Sequence, residues 1–424
     1  MSCLSNFFKK DEELIPALKE YTYISNRLSR NELIKRLRKY ELIFRIKKIA
    51  ELNIQKIYHL SDIHIYPLKR HKQYQEVFEK LYTYKDPNGI FVICGDIFDS
   101  KTKITPELIQ LSRNFITKLT EGSLGVILIA GNHDLHEQNL DRLDNISGVF
   151  FGLHESIPNF YYLRESGIYD FGNILFCVDS LIDRKFVRKR SINLNDLPVF
   201  NQKIKVGLYH GTLYKSSTFN GYQFEDKCVP LKYFEDFDIT LLGDIHKHQY
   251  LNSQKNIAYS GSLIQQNFGE SIDGHGMICW DIPSRKSEFI EIKGVEAFIT
   301  TEIQYINNKF TINYKKIKEY PYVYLRILIN TEIPYNKIQK LEEKLYHEFP
   351  NIQNIYIEYL HNFRNNYQPL QITNKSFVDY FKEVGIPNDK LQKVLSFHSK
   401  ILSENTETQE TYSNHWKLDT IKFN

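Results

Sequence analysis

The stretch LLGDIHKHQ, residues 241–249, ends an apolar run at Gly243 and follows it at once with Asp244, His246 and His248. Carboxylate and imidazole side chains are metal-ligand types. A lone Gly-Asp-x-His after a strand is also an ordinary polar turn. The rest of the chain decides between the two. YHLSDIH ends in Asp62 and His64, VICGDIFD in Asp96 and Asp99, LIAGNHD in Asn132, His133 and Asp134, and LYHG carries His210. Each corner follows an apolar, strand-like run, and ligand sites of α/β folds lie at the carboxyl ends of strands. Turn chemistry accounts for any one of them; all five in order read as a metal centre. Carboxylate, amide and imidazole donors without thiolate suit Mn²⁺, Mg²⁺, Fe or Zn²⁺. Two such ions about 3.5–4 Å apart clamp both oxygens of an in-line phosphoryl displacement. A neighbouring His can protonate the leaving oxygen.

The elements that must position these residues are short apolar strands between about residues 54 and 300: KIYHL, GIFVIC, GVILIA, NILFCVD, KVGLYH, ITLLG and GMICWDI. Helical spacing predicts helices over 72–84 and 106–120. Alternation of strands and helices followed by strands in quick succession points to a layered α/β domain. YVYLRILI and NIYIEYL flank a helix expected over 335–347, a small α+β unit. Before the domain, SRNELIKRLRKYELIFRIKKIAEL opens with Ser29 and Glu32 at capping-box spacing and reads as a basic helix. Its cations make it either a solvated face or a phosphate-contacting one. After the α+β unit, 375–403 reads as two short amphipathic helices, the second with a stripe that includes Leu391, Leu395 and Leu402. A polar linker and the alternating HWKLDTIKFN follow.

Length and composition bound the rest. A chain of 424 residues suggests two or three domains. A net charge of +4 excludes a polycation, so nucleic-acid contacts must come from local patches. The five cysteines form no Cys-x-x-Cys pair, which argues against a thiolate zinc site or a disulfide framework. The opening residues have no apolar signal core, and no window approaches the length needed to cross a bilayer. The expectation is a soluble, intracellular protein with no membrane contact.

Asp-x-His, Gly-Asp-x, Gly-Asn-His-Asp, a lone His after a strand and Gly-x-x-His, in that order over residues 55–250, resemble the calcineurin-like metallophosphoesterases. YHLSDIHI, GDIFDS, GNHD, LLGDIHKHQ and AYSGSLIQQNFGE resemble more narrowly the DNA double-strand-break repair nucleases of the SbcD and meiotic-recombination-eleven type, especially phage and viral members. The resemblance implies a four-layer α/β fold, two mixed sheets sandwiched between helices, with a small α+β capping domain and a C-terminal helical pair. Its implied boundaries are a basic extension at 1–50, the nuclease domain at 51–300, a DNA-capping domain at 301–365, an ATPase-binding segment at 366–404, and a linker and terminal strand at 405–424. That last strand is similar to the opening of an SMC-like ATPase of the SbcC type, fused or split in relatives.

By motif position the resemblance implies one ion on Asp62, His64, Asp96 and His246. A second ion falls on Asp96, Asn132, His210 and Asp244, with Asp96 bridging. It makes His133 a non-ligand at the scissile phosphate and Asp134 the group that orients it. It also implies two divalent ions, Mn²⁺ with Mg²⁺ as alternative, a homodimer, and DNA and the ATPase as partners. Two positions depart from cellular members: Asp244 stands where they carry His, and Asp99 stands where many have a His that handles the DNA end. His248 falls outside the ligand set. The competing readings are a generic phosphatase or phosphodiesterase and a non-catalytic DNA-end scaffold.

Overall fold

The computed structural model describes residues 46–360 apart from 140–141, 151, 153–156, 158, 184–202, 226–227, 307–308, 312–314 and 332. The basic segment before residue 46, the helix pair expected over 375–403 and the HWKLDTIKFN strand lie outside the described residues. The chain divides into two compact units, Met1–Leu328 with Ile333–Glu358 and Ile329–Glu332 with Tyr359–Asn424. The candidate metal ligands, His133 and Asp134 lie in the first.

Strands β1 (Ile46–Leu52) and β2 (Lys56–Leu60) lead into helix α1 (His71–Tyr82), β3 (Gly89–Cys94), helix α2 (Pro106–Thr120) and β4 (Gly125–Ile129). Then come the short helix α3 (Asn145–Phe150), β5 (Phe160–Tyr162), β6 (Gly167–Gly172), β7 (Ile174–Asp179), β8 (Ile204–His210) and β9 (Ile239–Gly243). The chain continues through β10 (Gln249–Tyr250), β11 (Ile257–Tyr259), β12 (Gly276–Asp281) and β13 (Lys286–Glu291). Last are β14 (Glu296–Ile306), β15 (Lys309–Thr311), β16 (Tyr322–Ile329), helix α4 (Tyr335–Glu348) and β17 (Ile352–Tyr359).

Among the described residues three sheets form. One has the order β1-β6-β7-β8-β9-β11-β10, the second β13-β12-β2-β3-β4-β5, and the third β15-β14-β16-β17. The first two are mixed, with parallel centres: β2, β3, β4 and β5 run together in one, β7, β8, β9 and β11 in the other. Strands β3, β4 and β9 are buried at every position. That is why they read as continuous apolar runs rather than alternating ones. The first two sheets pack face to face through Ile57, Val92, Ile127, Phe176, Leu208, Leu241 and Trp280. Helices α1 and α2 close the outer face of the second sheet with Tyr74, Phe78, Leu108, Phe115 and Leu119. Helix α2 starts where its sequence says it should: Thr105 accepts from the Leu108 amide at 3.3 Å and Pro106 takes the first position. The outer face of the first sheet is covered by Leu213, Phe234, Phe237 and Ile245.

One reading is corrected. The helix expected over residues 10–50 does not hold to its end: Ile46–Leu52 is a strand, paired in parallel with β6, with Ile46 opposite Ile168 and Lys48 opposite Asp170. Ile46 and Ile49 fit a helical repeat, but Ile49 is exposed, while Ile46, Ala50 and Leu52 touch the core from alternate positions. A sheet edge supplied by residues more than a hundred positions away overrides the local pattern.

The third sheet is tied to the start of α1 by a buried ion pair. Arg70 donates from Nε to Glu296 Oε1 and Oε2 at 3.1 and 3.0 Å, and their side chains are 3% and 1% exposed. The same guanidinium donates to Gln266 Oε1 at 3.0 Å and to the Gln265 carbonyl at 2.6 Å. Gln265 Oε1 in turn accepts from the Phe298 amide at 2.8 Å. Glu296→Ala should therefore destabilise the chain by about 3–5 kcal/mol in urea unfolding, because a buried guanidinium loses its carboxylate. An Arg70→Met, Glu296→Leu double variant should recover most of that loss. Equal loss in the double variant would contradict the ion-pair account.

Candidate metal centre

Asp62 and His64 follow β2, Asp96 follows β3, Asn132 and His133 follow β4, His210 closes β8, and Asp244 and His246 follow β9. These ends converge because the parallel centres of the two packed sheets bring their carboxyl ends to one edge. His64 Nε2 lies 3.1 Å from His246 Nε2, 3.6 Å from Asp96 Oδ2 and 4.0 Å from Asp62 Oδ1. His246 Nε2 lies 3.9 Å from the same Asp62 oxygen. On the other side, His210 Nε2 lies 3.0 Å from Asn132 Oδ1, 3.5 Å from Asp96 Oδ2 and 4.0 Å from Asp244 Oδ1. Asp96 Oδ2 thus stands between two groups of donors. All seven residues read as ligands from the sequence are gathered here.

The backbone is bent to make this possible. Asp62, His64, Asp96 and Asp244 have φ of 52°, 49°, 53° and 97°, in the left-handed region. Such conformations cost about 1–3 kcal/mol each and cluster at functional sites. The loops after β2 and β3 hold each other in register beyond the strands: Asp62 N donates to Gly95 O at 3.1 Å and His64 N to Asp96 O at 3.0 Å. The glycines are steric requirements. A Cβ on Gly131 would sit 2.2 Å from Asp96 Oδ1, and one on Gly95 (φ +88°) 2.4 Å from His210 Nδ1.

The protonation of the protein alone reports what the site demands. Burial pushes Asp62 up to about 6, and burial with Asp96 nearby pushes Asp134 up to about 8. Burial lowers His64 to about 3, so it is neutral. Burial would lower His246 as well, but the Glu270 carboxylate, then Asp62 and Asp96, raise it to about 9. His210 is held well above its usual range, against burial, by Asp96, Asp62 and Asp244. One imidazolium thus stands in each donor group, where the carboxylates call for positive charge. Divalent cations fit this donor set: donor atoms of Asp62, His64 and His246 lie within 4.8 Å of one another, as do those of Asp62, Asp96 and His210. Asp62, His64, Asp96 and His246 would hold one, and Asp96, Asn132, His210 and Asp244 the other.

A second layer of contacts aims the donors. Ser61 Oγ donates to Asp62 Oδ2 at 2.5 Å, and Thr212 Oγ1 to Asp244 Oδ2 at 2.5 Å. His210 Nδ1 is bonded to the Cys94 carbonyl at 2.7 Å. His246 Nδ1 is bonded to Glu270 Oε1 at 2.8 Å. The last two fix which ring nitrogen His210 and His246 turn inward. Glu270 went unassigned in the sequence although it ends the run AYSGSLIQQNFGE; Thr212 and the Cys94 carbonyl carry no local signal. Gln266 Nε2 donates at 3.1 Å to the carbonyl of Ile63, the residue between Asp62 and His64, so Gln266 of that run braces the first donor loop.

Two further placements matter. The Asp134 carboxylate accepts from the amides of Asp96, Phe98 and Gly131 at 2.8, 3.2 and 2.9 Å. It therefore shapes the loops after β3 and β4. The ring of His133 is oriented instead by the Asp99 carbonyl, 2.6 Å from Nδ1, which corrects the expectation that Asp134 does this. The sequence reading failed because a backbone carbonyl has no residue signature. His133 is half-buried, its ring edge-on to His64 at 4.8 Å, and a ring nitrogen lies within 4.8 Å of donor atoms of His64 and Asp96. His248 stacks on Phe289 at 4.0 Å and bonds the Tyr259 carbonyl, outside the donor groups.

Residues 55–248 match the calcineurin-like phosphoesterase family. This part of the chain is a calcineurin-like phosphoesterase domain. Over 408 residues the chain is 33% identical to an uncharacterized protein, R555, of Acanthamoeba polyphaga mimivirus; the match takes in 89% of this chain and 29% of that protein. It is 23% identical over 393 residues to the SbcD subunit of nuclease SbcCD from Staphylococcus epidermidis, covering 81% of this chain and 98% of that one. The corresponding SbcD protein of Staphylococcus saprophyticus is 26% identical over 361 residues, 76% and 85% of the two chains. Both SbcD matches are longer than the phosphoesterase domain. Among the described residues no helix is long and apolar enough to cross a membrane.

Glu270→Gln tests the aiming of His246. A ligand imidazole must be neutral, so metal affinity rises with pH until His246 loses its proton at about 9. Without the carboxylate that midpoint should move to lower pH. At pH above it, binding should weaken by about 10–100-fold, the scale for an outer-shell partner. Calorimetric Mn²⁺ titrations across pH give both quantities. An unchanged midpoint would show that Glu270 does not set the proton affinity of His246.

Proposed function

We propose that this chain is a two-metal DNA nuclease, hydrolysing phosphodiester bonds with Mn²⁺ or Mg²⁺ and working with an SMC-like ATPase. The observation that carries the reading is the convergence of Asp62, His64, Asp96, Asn132, His210, Asp244 and His246 into two donor groups that share Asp96. The phosphoesterase family supports hydrolysis of a phosphoester. Likeness to the SbcD nuclease proteins beyond the phosphoesterase domain supports DNA over a small phosphomonoester. So does the run AYSGSLIQQNFGE, which reaches from the first donor loop to the third sheet through Gln266 and Gln265. A homodimer, a role in break repair and a DNA-guiding third sheet belong to the same proposal.

When bound, the two ions supply charge neutralisation at the phosphate and an activated water. The protein does the rest. Asp96 sets the separation of the two donor groups. The His133 amide donates to Asp96 Oδ1 at 2.7 Å, so the residue that faces the phosphate also steadies the bridging carboxylate. With Nδ1–H held on the Asp99 carbonyl, His133 has Nε2 left to carry a proton to the leaving oxygen.

The reading is tested on end-labelled DNA with Mn²⁺ beside a chromogenic phosphodiester; intact DNA under conditions that hydrolyse the diester would remove the nuclease assignment. His133→Ala should retain both ions and lose about 10²-fold or more in rate. Loss of metal stoichiometry would instead make His133 a ligand. Asp244→Ala should lose one ion and nearly all activity. Asp244→His should keep both ions, tolerate Zn²⁺ better and move the pH optimum down, because a neutral donor leaves the cation a stronger Lewis acid. Two ions and normal cutting in Asp244→Ala would reduce Asp244 to a turn residue.

A further inference from the structure

Each of the two donor groups is assembled from both large sheets. Asp62, His64, Asp96 and Asn132 follow strands of the second sheet, while His210, Asp244 and His246 close or follow strands of the first. Neither group is complete on one sheet. The gap between the sheets at this edge therefore sets the distances across a bound ion.

His59 stands in that gap. It lies on β2, three residues before Asp62, and is fully buried. Its register neighbours are Val92 on β3 and Ile278 on β12, both part of the apolar interior between the sheets. Its ring reaches the other sheet: Nε2 lies 3.1 Å from the carbonyl of Leu242 on β9, two residues before Asp244. A carbonyl only accepts, so Nε2 carries the hydrogen. Burial pushes the imidazole down to about 3, so it is neutral. Nδ1 then offers only a lone pair, and it meets no hydrogen-bond partner among the described residues.

Packing does not account for this residue. A buried polar ring with one nitrogen unpaired costs stability that an apolar ring of similar size does not. What the imidazole adds is a bond between β2 and β9. A second imidazole bond crosses the other way, from His210 on β8 to the Cys94 carbonyl at the end of β3. The two crossings are neighbours in register: Tyr209 lies opposite Leu242 in the first sheet, and Val92, two residues before Cys94, lies opposite His59 in the second. The sheets are so close here that a Cβ on Gly243 would strike the Cys94 carbonyl.

We infer that His59 is a positioning residue for the metal centre, its bond to Leu242 holding the sheets at the separation at which each donor group fits a divalent ion. The inference rests on the two-metal reading of the site. Removing this bond leaves every donor on its own loop and changes only the distance across. Both ions should therefore weaken together, whereas loss of a non-bridging ligand weakens one.

The test is calorimetric Mn²⁺ titration of the full chain, with urea unfolding measured beside it. His59→Phe keeps a ring and removes the donor. It should fold and bind both ions about 10–100-fold more weakly, the scale for an outer-shell partner. His59→Gln places an amide N–H near the position of Nε2 and should recover most of that affinity. Leu119→Ala lowers stability from the outer face of the second sheet and should bind both ions as wild type does. The inference is overturned by a His59→Phe variant that binds like wild type or weakens one ion alone. A His59→Gln variant no better than His59→Phe also overturns it, as does equal loss of affinity in Leu119→Ala. If both His59 variants unfold while Leu119→Ala folds, His59 serves the fold itself and the inference falls. Wild type that takes up fewer than two ions removes the two-metal reading, and the inference with it.

Discussion

Negative charge buried at one edge of two packed sheets governs how this molecule is built. Asp62 and Asp96 are almost fully buried, and Asp244 lies beside them. Carboxylates in such a place are stable only against positive charge. In the protein alone that charge comes from His246 and His210, held protonated against their own burial. Each proton sits in one donor group. Divalent cations would satisfy the same demand more fully.

The sheets explain how the chain tolerates it. Two mixed sheets share an apolar interior, so five strand ends can be delivered to one edge by nonlocal packing, while the strain of delivery is confined to the turns. The left-handed residues there are Asp and His, types enriched in that region of backbone space. Glycines at 95 and 131 remove the Cβ atoms that would strike His210 and Asp96. Asp134, buried and acceptor to three amides, holds the loops after β3 and β4 in the shape that strain requires. Rigidity at this edge comes from the packed interior behind it, and polar contacts select the rotamers.

The run from Tyr259 to Glu270 connects this edge to the rest of the molecule. Ser260 lies 2.9 Å from Ser61 beside the first donor, Gln265 reaches the third sheet, Gln266 braces Ile63, and Glu270 aims His246. Arg70 joins the same group through its ion pair with Glu296 and rests over the Phe298 ring at 5.2 Å. The third sheet and the candidate metal centre are therefore joined by one run of hydrogen bonds through Gln265, Gln266 and Arg70.

Residue order alone specifies the strands that carry the site and the types of its candidate ligands. Fully buried parallel strands must be short apolar runs, and chemistry at their carboxyl ends must interrupt those runs with Asp, His and Asn. Period and punctuation made β2, β3, β4, β8, β9 and the donors legible, as did the pattern around α4. What stayed hidden depended on distant backbone. β1 became a strand because β6 offered an edge, although its own residues fit a helix. β5, β6, β10, β11 and β13 are short or flanked by glycine and turn residues, and only pairing partners make them strands. The division of labour between Asp134 and the Asp99 carbonyl was hidden because a carbonyl looks the same at every residue. The roles of Glu270, Thr212 and Arg70 arise only in the folded chain for the same reason: each acts on a side chain at least 24 positions away, and a hydrogen bond between such residues leaves no trace in local spacing.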